Sequence, residues 1–145
     1  MARTPALILA AAIALLLMAG AGPAAAMHSG PPTVVSAECH GHNFKPSRII
    51  LACGDAGLVA EHLKWASWGR REAKGSGTGT AETCDPNCAT GGRRSGPMEV
   101  RLFRTARCSR DGRVHFTRIE YRWANGAPIA GQPDRGVVPS PCSAV

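Results

Sequence analysis

Three rhythms of apolar and polar residues run along this chain. From Ala6 to Met18 the residues are continuously apolar, behind the short positive start Met1-Ala2-Arg3 and ahead of the small residues Ala24-Ala25-Ala26. That order predicts a removable export signal over residues 1–26. The run is shorter than the ~20 residues a helix needs to cross a bilayer, so no stable membrane anchor is expected. Further on, strict alternation takes over. Met98, Val100 and Leu102 alternate with Glu99 and Arg101, and His115, Thr117, Ile119, Tyr121 and Trp123 alternate with Phe116, Arg118, Glu120 and Arg122. Period two predicts half-buried strands, and Ser109-Arg110-Asp111-Gly112 between them predicts a hairpin turn.

The third rhythm is mixed. Arg48-Ile49-Ile50-Leu51-Ala52-Cys53 reads as a short buried strand ended by a turn at Gly54-Asp55. Across residues 57–68, Leu58, Val59, His62, Leu63 and Ala66 recur at helical spacing. Two tryptophans followed by Gly69 instead favour a pleated strand, with Leu63 and Trp65 on one face and Trp68 on the other. Residues 27–38 carry Gly30-Pro31-Pro32 and no periodicity, which predicts a flexible lead-in. The tail 128–145 is rich in Pro and Gly and is expected to be irregular. The fold expected is mainly β: one small domain over residues 39–145, an antiparallel sandwich or barrel-like sheet with long disulfide-stapled loops.

Cysteine content adds the staples. Cys39, Cys53, Cys84, Cys88, Cys108 and Cys142 all follow the signal, so an oxidising compartment and a secreted, extracellular location are expected. Spacing does not select among the 15 possible pairings; a link between Cys39 and Cys142, near the two mature ends, is one guess. Basic residues outnumber acidic ones 17 to 10, for a net charge of +7. Arg3 is the only charge before residue 27, so nearly all of that excess belongs to the mature part. Such a balance favours contact with anionic partners such as envelope polymers, lipid headgroups or nucleic acid, against the alternative that it serves solubility alone. No recognised fold motif accompanies the charge, so nucleic acid is not expected as a partner.

Sites of chemistry are few. Cys39-His40-Gly41-His42 is a weak metal candidate: His40 and His42, if on a strand, would point to one side, but oxidation of Cys39 removes a ligand. Cys84-Asp85-Pro86-Asn87-Cys88 has one residue too many for a thiol–disulfide redox motif and no helix pattern after it, so it reads as a loop staple. Gly75-Ser76-Gly77-Thr78-Gly79 lacks the Gly-Lys-Ser/Thr of a phosphate cradle and reads as a flexible hairpin or a glycine-thinned strand. No Gly-x-Ser-x-Gly sequence occurs, and Asp55, His62 and His115 have no evident serine. No catalytic residue and no cofactor are therefore assigned. Trp65, Trp68, Tyr121 and Trp123, with Arg118 and Arg122, form a candidate binding surface, against the alternative that the aromatic rings fill the core.

From Lys45 to about Trp123 the chain resembles a group of small secreted actinobacterial proteins that have no established function. Lys45-Pro46-Ser47-Arg48, Cys53-Gly54-Asp55 and Trp65-Ala66-Ser67-Trp68-Gly69 carry the likeness. So do the Ala73/Gly75/Gly77 spacing and Cys84-Asp85-Pro86-Asn87-Cys88-Ala89 with the glycine pair after it. The resemblance implies secretion and a β-rich domain and strengthens the strand reading of residues 59–68; it brings no catalytic residue. The function expected is that of a monomeric, non-enzymatic exported protein binding an anionic polymer or a secreted protein. The alternatives are a protease inhibitor presenting a disulfide-held loop and a small secreted hydrolase.

Overall fold

The computed structural model describes residues 32–141, so the expected signal over residues 1–26 and Cys142 lie outside the described residues. Six strands follow in chain order: β1 (Ile49–Ile50), β2 (Leu58–Trp68), β3 (Glu72–Glu82), β4 (Arg93–Arg107), β5 (Val114–Trp123) and β6 (Arg135–Pro139). All neighbours are antiparallel and the order in space is the order in sequence. The result is a meander curled into a half-barrel, with no helix among the described residues. The mainly β, barrel-like expectation therefore holds.

One face of the sheet carries the core. Leu102, Val100 and Met98 of β4 stand opposite Ala73, Gly75 and Gly77 of β3 and opposite Ile119, Tyr121 and Trp123 of β5. The repeat Gly75-x-Gly77-x-Gly79 is thus a glycine-thinned strand, and the large rings are the reason. A Cβ on Gly79 would stand 2.6 Å from Cζ3 of Trp123, and one on Gly77 would press into the Glu61 carbonyl oxygen of β2. Glycine removes the side chains that would hold these neighbours away.

Residues 58–68 are strand throughout, as favoured, but Trp65 and Trp68 do not take opposite faces. Register shifts between Glu61 and Lys64 and between Trp65 and Ser67 set Trp65 opposite Gly75 and Trp68 opposite Ala73, on a single face. A bulge adds a residue to one strand and so resets its alternation. The two indoles then meet edge-to-face with centroids 4.6 Å apart, and Trp68 also meets Phe116 at 5.7 Å. Each indole N–H is satisfied: Trp65 donates to the Pro46 carbonyl and Trp68 to the Thr33 carbonyl, both at 2.8 Å.

The expected lead-in requires a larger correction. Residues 33–37 are buried, with Val34 and Val35 at 1% and 0% exposure. Val34 bonds the edge of β5 through Val114 and Phe116, while the Ala37 carbonyl accepts from Ile50 N at the edge of β1. The segment therefore bridges β1 and the start of β5, which β6 leaves unpaired. Absent periodicity misled here because a single extended strip, enclosed on both faces, needs no alternation. The tail is likewise not wholly irregular, since β6 pairs with β5 from Arg118 to Arg122. Cys39 bonds Cys53, not Cys142, and Cys84 bonds Cys88 as a local staple. Cys108 is also disulfide-bonded.

Candidate functional site

The β4–β5 hairpin builds one wall of a polar site. Cys108 N donates to the Arg113 carbonyl at 2.8 Å, and Gly112, at φ 68°, donates back to the Cys108 carbonyl at 2.9 Å. A left-handed residue is needed to close this turn, which glycine supplies. Asp111 divides its two oxygens. Oδ1 accepts from Arg113 N at 2.9 Å, while Oδ2 lies 2.7 Å from Nε2 of His115 and 3.8 Å from Nδ1 of His42. The Arg113 N–H, and after it the His115 ring, hold the Asp111 carboxyl below the usual carboxylate range, against the opposing effect of desolvation.

Residues 39–43 form the opposite wall. They are a loop and not the strand that a His-x-His reading needs, because Cys39 and Gly41 take φ of 63° and 77°. The Cys39–Cys53 bond, the Ser36 hydroxyl donating to the Gly41 carbonyl at 3.0 Å and the Asn43 side chain accepting from Ala37 N at 3.2 Å hold that loop. Between the walls is a cavity of about 110 Å³ lined by Ser36, His40, His42, Cys108, Asp111 and His115, among others. His115 is buried with only 3% of its side chain exposed, and its Nδ1 has no hydrogen-bond partner.

This arrangement does not assemble a hydrolytic relay. The Ser36 hydroxyl reaches the Gly41 and Pro141 carbonyls and is not bonded to His115. Asp55 accepts from Gly57 N in its own turn, and exposed His62 sits on the β2 bulge, so Asp55, His62 and His115 are not brought together. The six residues of the candidate binding surface are also divided. Tyr121 and Trp123 are buried at 8% and 3% exposure and Trp65 and Trp68 pack against the core, whereas Arg122 reaches outward to Glu99 at 2.7 Å. Period two on β5 separates Arg118 and Arg122 from Tyr121 and Trp123. The aromatic rings fill the core.

Charge is sorted by topology. On the outward face, ion pairs balance: Arg101 bonds Glu72 at 2.6 Å and Glu120 at 3.2 Å across strands, and Lys74 lies 3.2 Å from Glu72 along β3. Lys74, Arg101 and Glu120 line a groove of about 370 Å³ together with the paired Glu99 and Arg122. The end of the sheet holding the β2–β3 turn and the β4–β5 hairpin is different. It gathers exposed Arg70, Arg71, Arg104, Arg107, Arg110 and Arg113, with Asp111 the acid of that hairpin. At the opposite end, Asp55, Glu82, Asp85 and Asp134 stand among Arg93, Arg94 and Arg135.

Two features escaped the sequence reading. The three-residue spacing of Arg104, Arg107, Arg110 and Arg113 was the visible trace of the basic end, but its union with Arg70 and Arg71 required the strand register. Asp111 read only as a turn residue; its place four before His115 signalled contact only once the hairpin was known to close there. Comparison with known proteins finds no matching family model, no matching curated protein and no matching solved structure.

Proposed function

We propose that this chain is an exported, non-enzymatic protein of the cell envelope or medium that binds an anionic polymer through its arginine-rich end. The observation that carries this reading is the collection of six exposed arginines at one end of the sheet, four from two turns and two from the end of β4. Guanidinium groups suit phosphate and carboxylate polymers because each presents a planar fork of donors. The balanced outward face offers no such excess. Export is supported by the signal-like residues 1–26 and by the disulfides, which are compatible with an oxidising surrounding.

The inhibitor alternative draws less support. An inhibitory loop gains from being held ready for an enzyme's cleft, and residues 84–90 are exposed, but they form bends and a turn and not an extended segment. Asn87 Oδ1 accepts from Ala89 N and Thr90 N at 3.0 Å, and the Asn87 carbonyl accepts from Gly91 N at 2.7 Å. A hydrolase draws less still, since no polar nucleophile is hydrogen-bonded to His115.

Retention on purified anionic wall polymer tests the proposal. Wild-type protein is expected to bind at physiological salt and to elute as salt rises, because exposed charges are screened beyond about 8–10 Å. Combined Arg70→Glu and Arg71→Glu should abolish retention, while Arg93→Glu with Arg94→Glu, an equal change in net charge at the other end, should largely keep it. Equal losses in the two variants would refute an end-specific contact, and absence of wild-type retention would refute the reading altogether.

A further inference from the structure

We infer that His42, Asp111 and His115 form a binding site for a divalent transition-metal ion of the zinc class, independent of the polymer contact. The donors come from separate parts of the chain. The loop locked by Cys39–Cys53 supplies His42, the hairpin turn supplies Asp111 and β5 supplies His115. Asp111 Oδ2 stands 2.7 Å from one imidazole nitrogen and 3.8 Å from the other. Two ligands bound to one zinc at about 2.0–2.2 Å in tetrahedral geometry lie roughly 3.3 Å apart. The two spacings straddle that value, so Asp111 Oδ2 is within about half an ångström of ligand spacing from each nitrogen, and the half-exposed His42 ring must turn toward His115 to complete the site.

The surroundings favour this ligand over others. His115 is held by burial, and the second oxygen of Asp111 is already oriented by Arg113 N, the kind of outer support that ligating carboxylates use. An anion would have to sit against the Asp111 carboxylate. A hard cation such as calcium would meet two nitrogen donors and one carboxylate where it prefers six or more oxygens, and the nearby arginines penalise binding by charge alone. Imidazole donation therefore selects zinc, copper or nickel. Cys108 also lies near, with its sulfur, Asp111 and His115 donor atoms within 4.8 Å of one another. In its disulfide it is not a thiolate, so the site has three protein ligands and a position open to the cavity, where His40 is on the wall.

Calorimetric titration of the full, oxidised chain with zinc chloride tests the site. One equivalent is expected to bind reversibly to chelator, and more weakly as pH falls, because imidazole must shed its proton to ligate. His42→Ala and Asp111→Asn should each weaken binding by about tenfold or more, and His62→Ala, on β2, should leave it unchanged. His42 is exposed, so its variant should fold, with an unchanged far-ultraviolet spectrum as the check. No binding by the oxidised chain, or equal affinity in His42→Ala, overturns the site. Binding that appears only after reduction also overturns it, by moving the principal ligand to the Cys108 thiolate.

Discussion

Gly77 shows how one residue can govern a sheet. Its missing side chain lets the β2 bulge at Glu61–Lys64 sit directly over β3, and that bulge helps bring Trp65 and Trp68 to the same face. A methyl group at this point has to displace backbone, which is less forgiving than a flexible side chain. Gly77→Ala should therefore cost about 1–3 kcal/mol, as overpacking does, read as a lower urea midpoint. Gly96 is a control within the same core, since a Cβ there would stand 3.6 Å from the Trp123 ring, in ordinary contact. Gly96→Ala should be neutral or gain a few tenths of a kcal/mol by restricting the unfolded chain. At this scale the sequence was partly legible. The glycine repeat was visible as a thinned strand, but the bulk it accommodates became known only from the register.

Among the elements, the bridging segment 33–37 and the loop that follows it do the most to turn a sheet into a half-barrel with a closed side. The Cys39–Cys53 bond ties that loop to the turn after β1 across a sequence separation of 14, whereas Cys84–Cys88 spans only 4. In the chain-entropy account a longer closed loop stabilises more, about 3 kcal/mol for roughly 15 residues. Replacing both Cys39 and Cys53 by serine should accordingly lower the denaturant midpoint much more than replacing Cys84 and Cys88. The outward ladder makes a different prediction. Hydrogen bonds from Arg101 and then Lys74 hold the Glu72 carboxyl below its ordinary value. The folded state thus binds its proton less readily than the unfolded chain, so this contribution is complete above the ordinary carboxylate range near pH 4.3 and declines as pH falls below it. Urea midpoints measured between pH 6 and 3 should fall less steeply for Glu72→Gln than for wild type, and the difference should shrink in high salt because the pair is exposed.

For the whole molecule, the order of strands in space decides where charge and chemistry accumulate. A meander places alternate turns at the same end, so Arg70 and Arg71 join Arg104 to Arg113 although more than thirty positions separate them. The same wrapping carries His42 to Asp111, and the end-specific loss of polymer retention is expected at this scale. Period-two alternation, the Asp-Gly turn and the cysteine count were enough to determine a small antiparallel β domain with covalent staples, because strand pairing and turn geometry are written in neighbouring residues. The partner of Cys39, the shared face of Trp65 and Trp68, the burial of residues 33–37 and the meeting of His42, Asp111 and His115 were decided by the tertiary structure. Each depends on a bulge, a left-handed residue or a closure between distant edges, and none of these leaves a periodic mark along the chain.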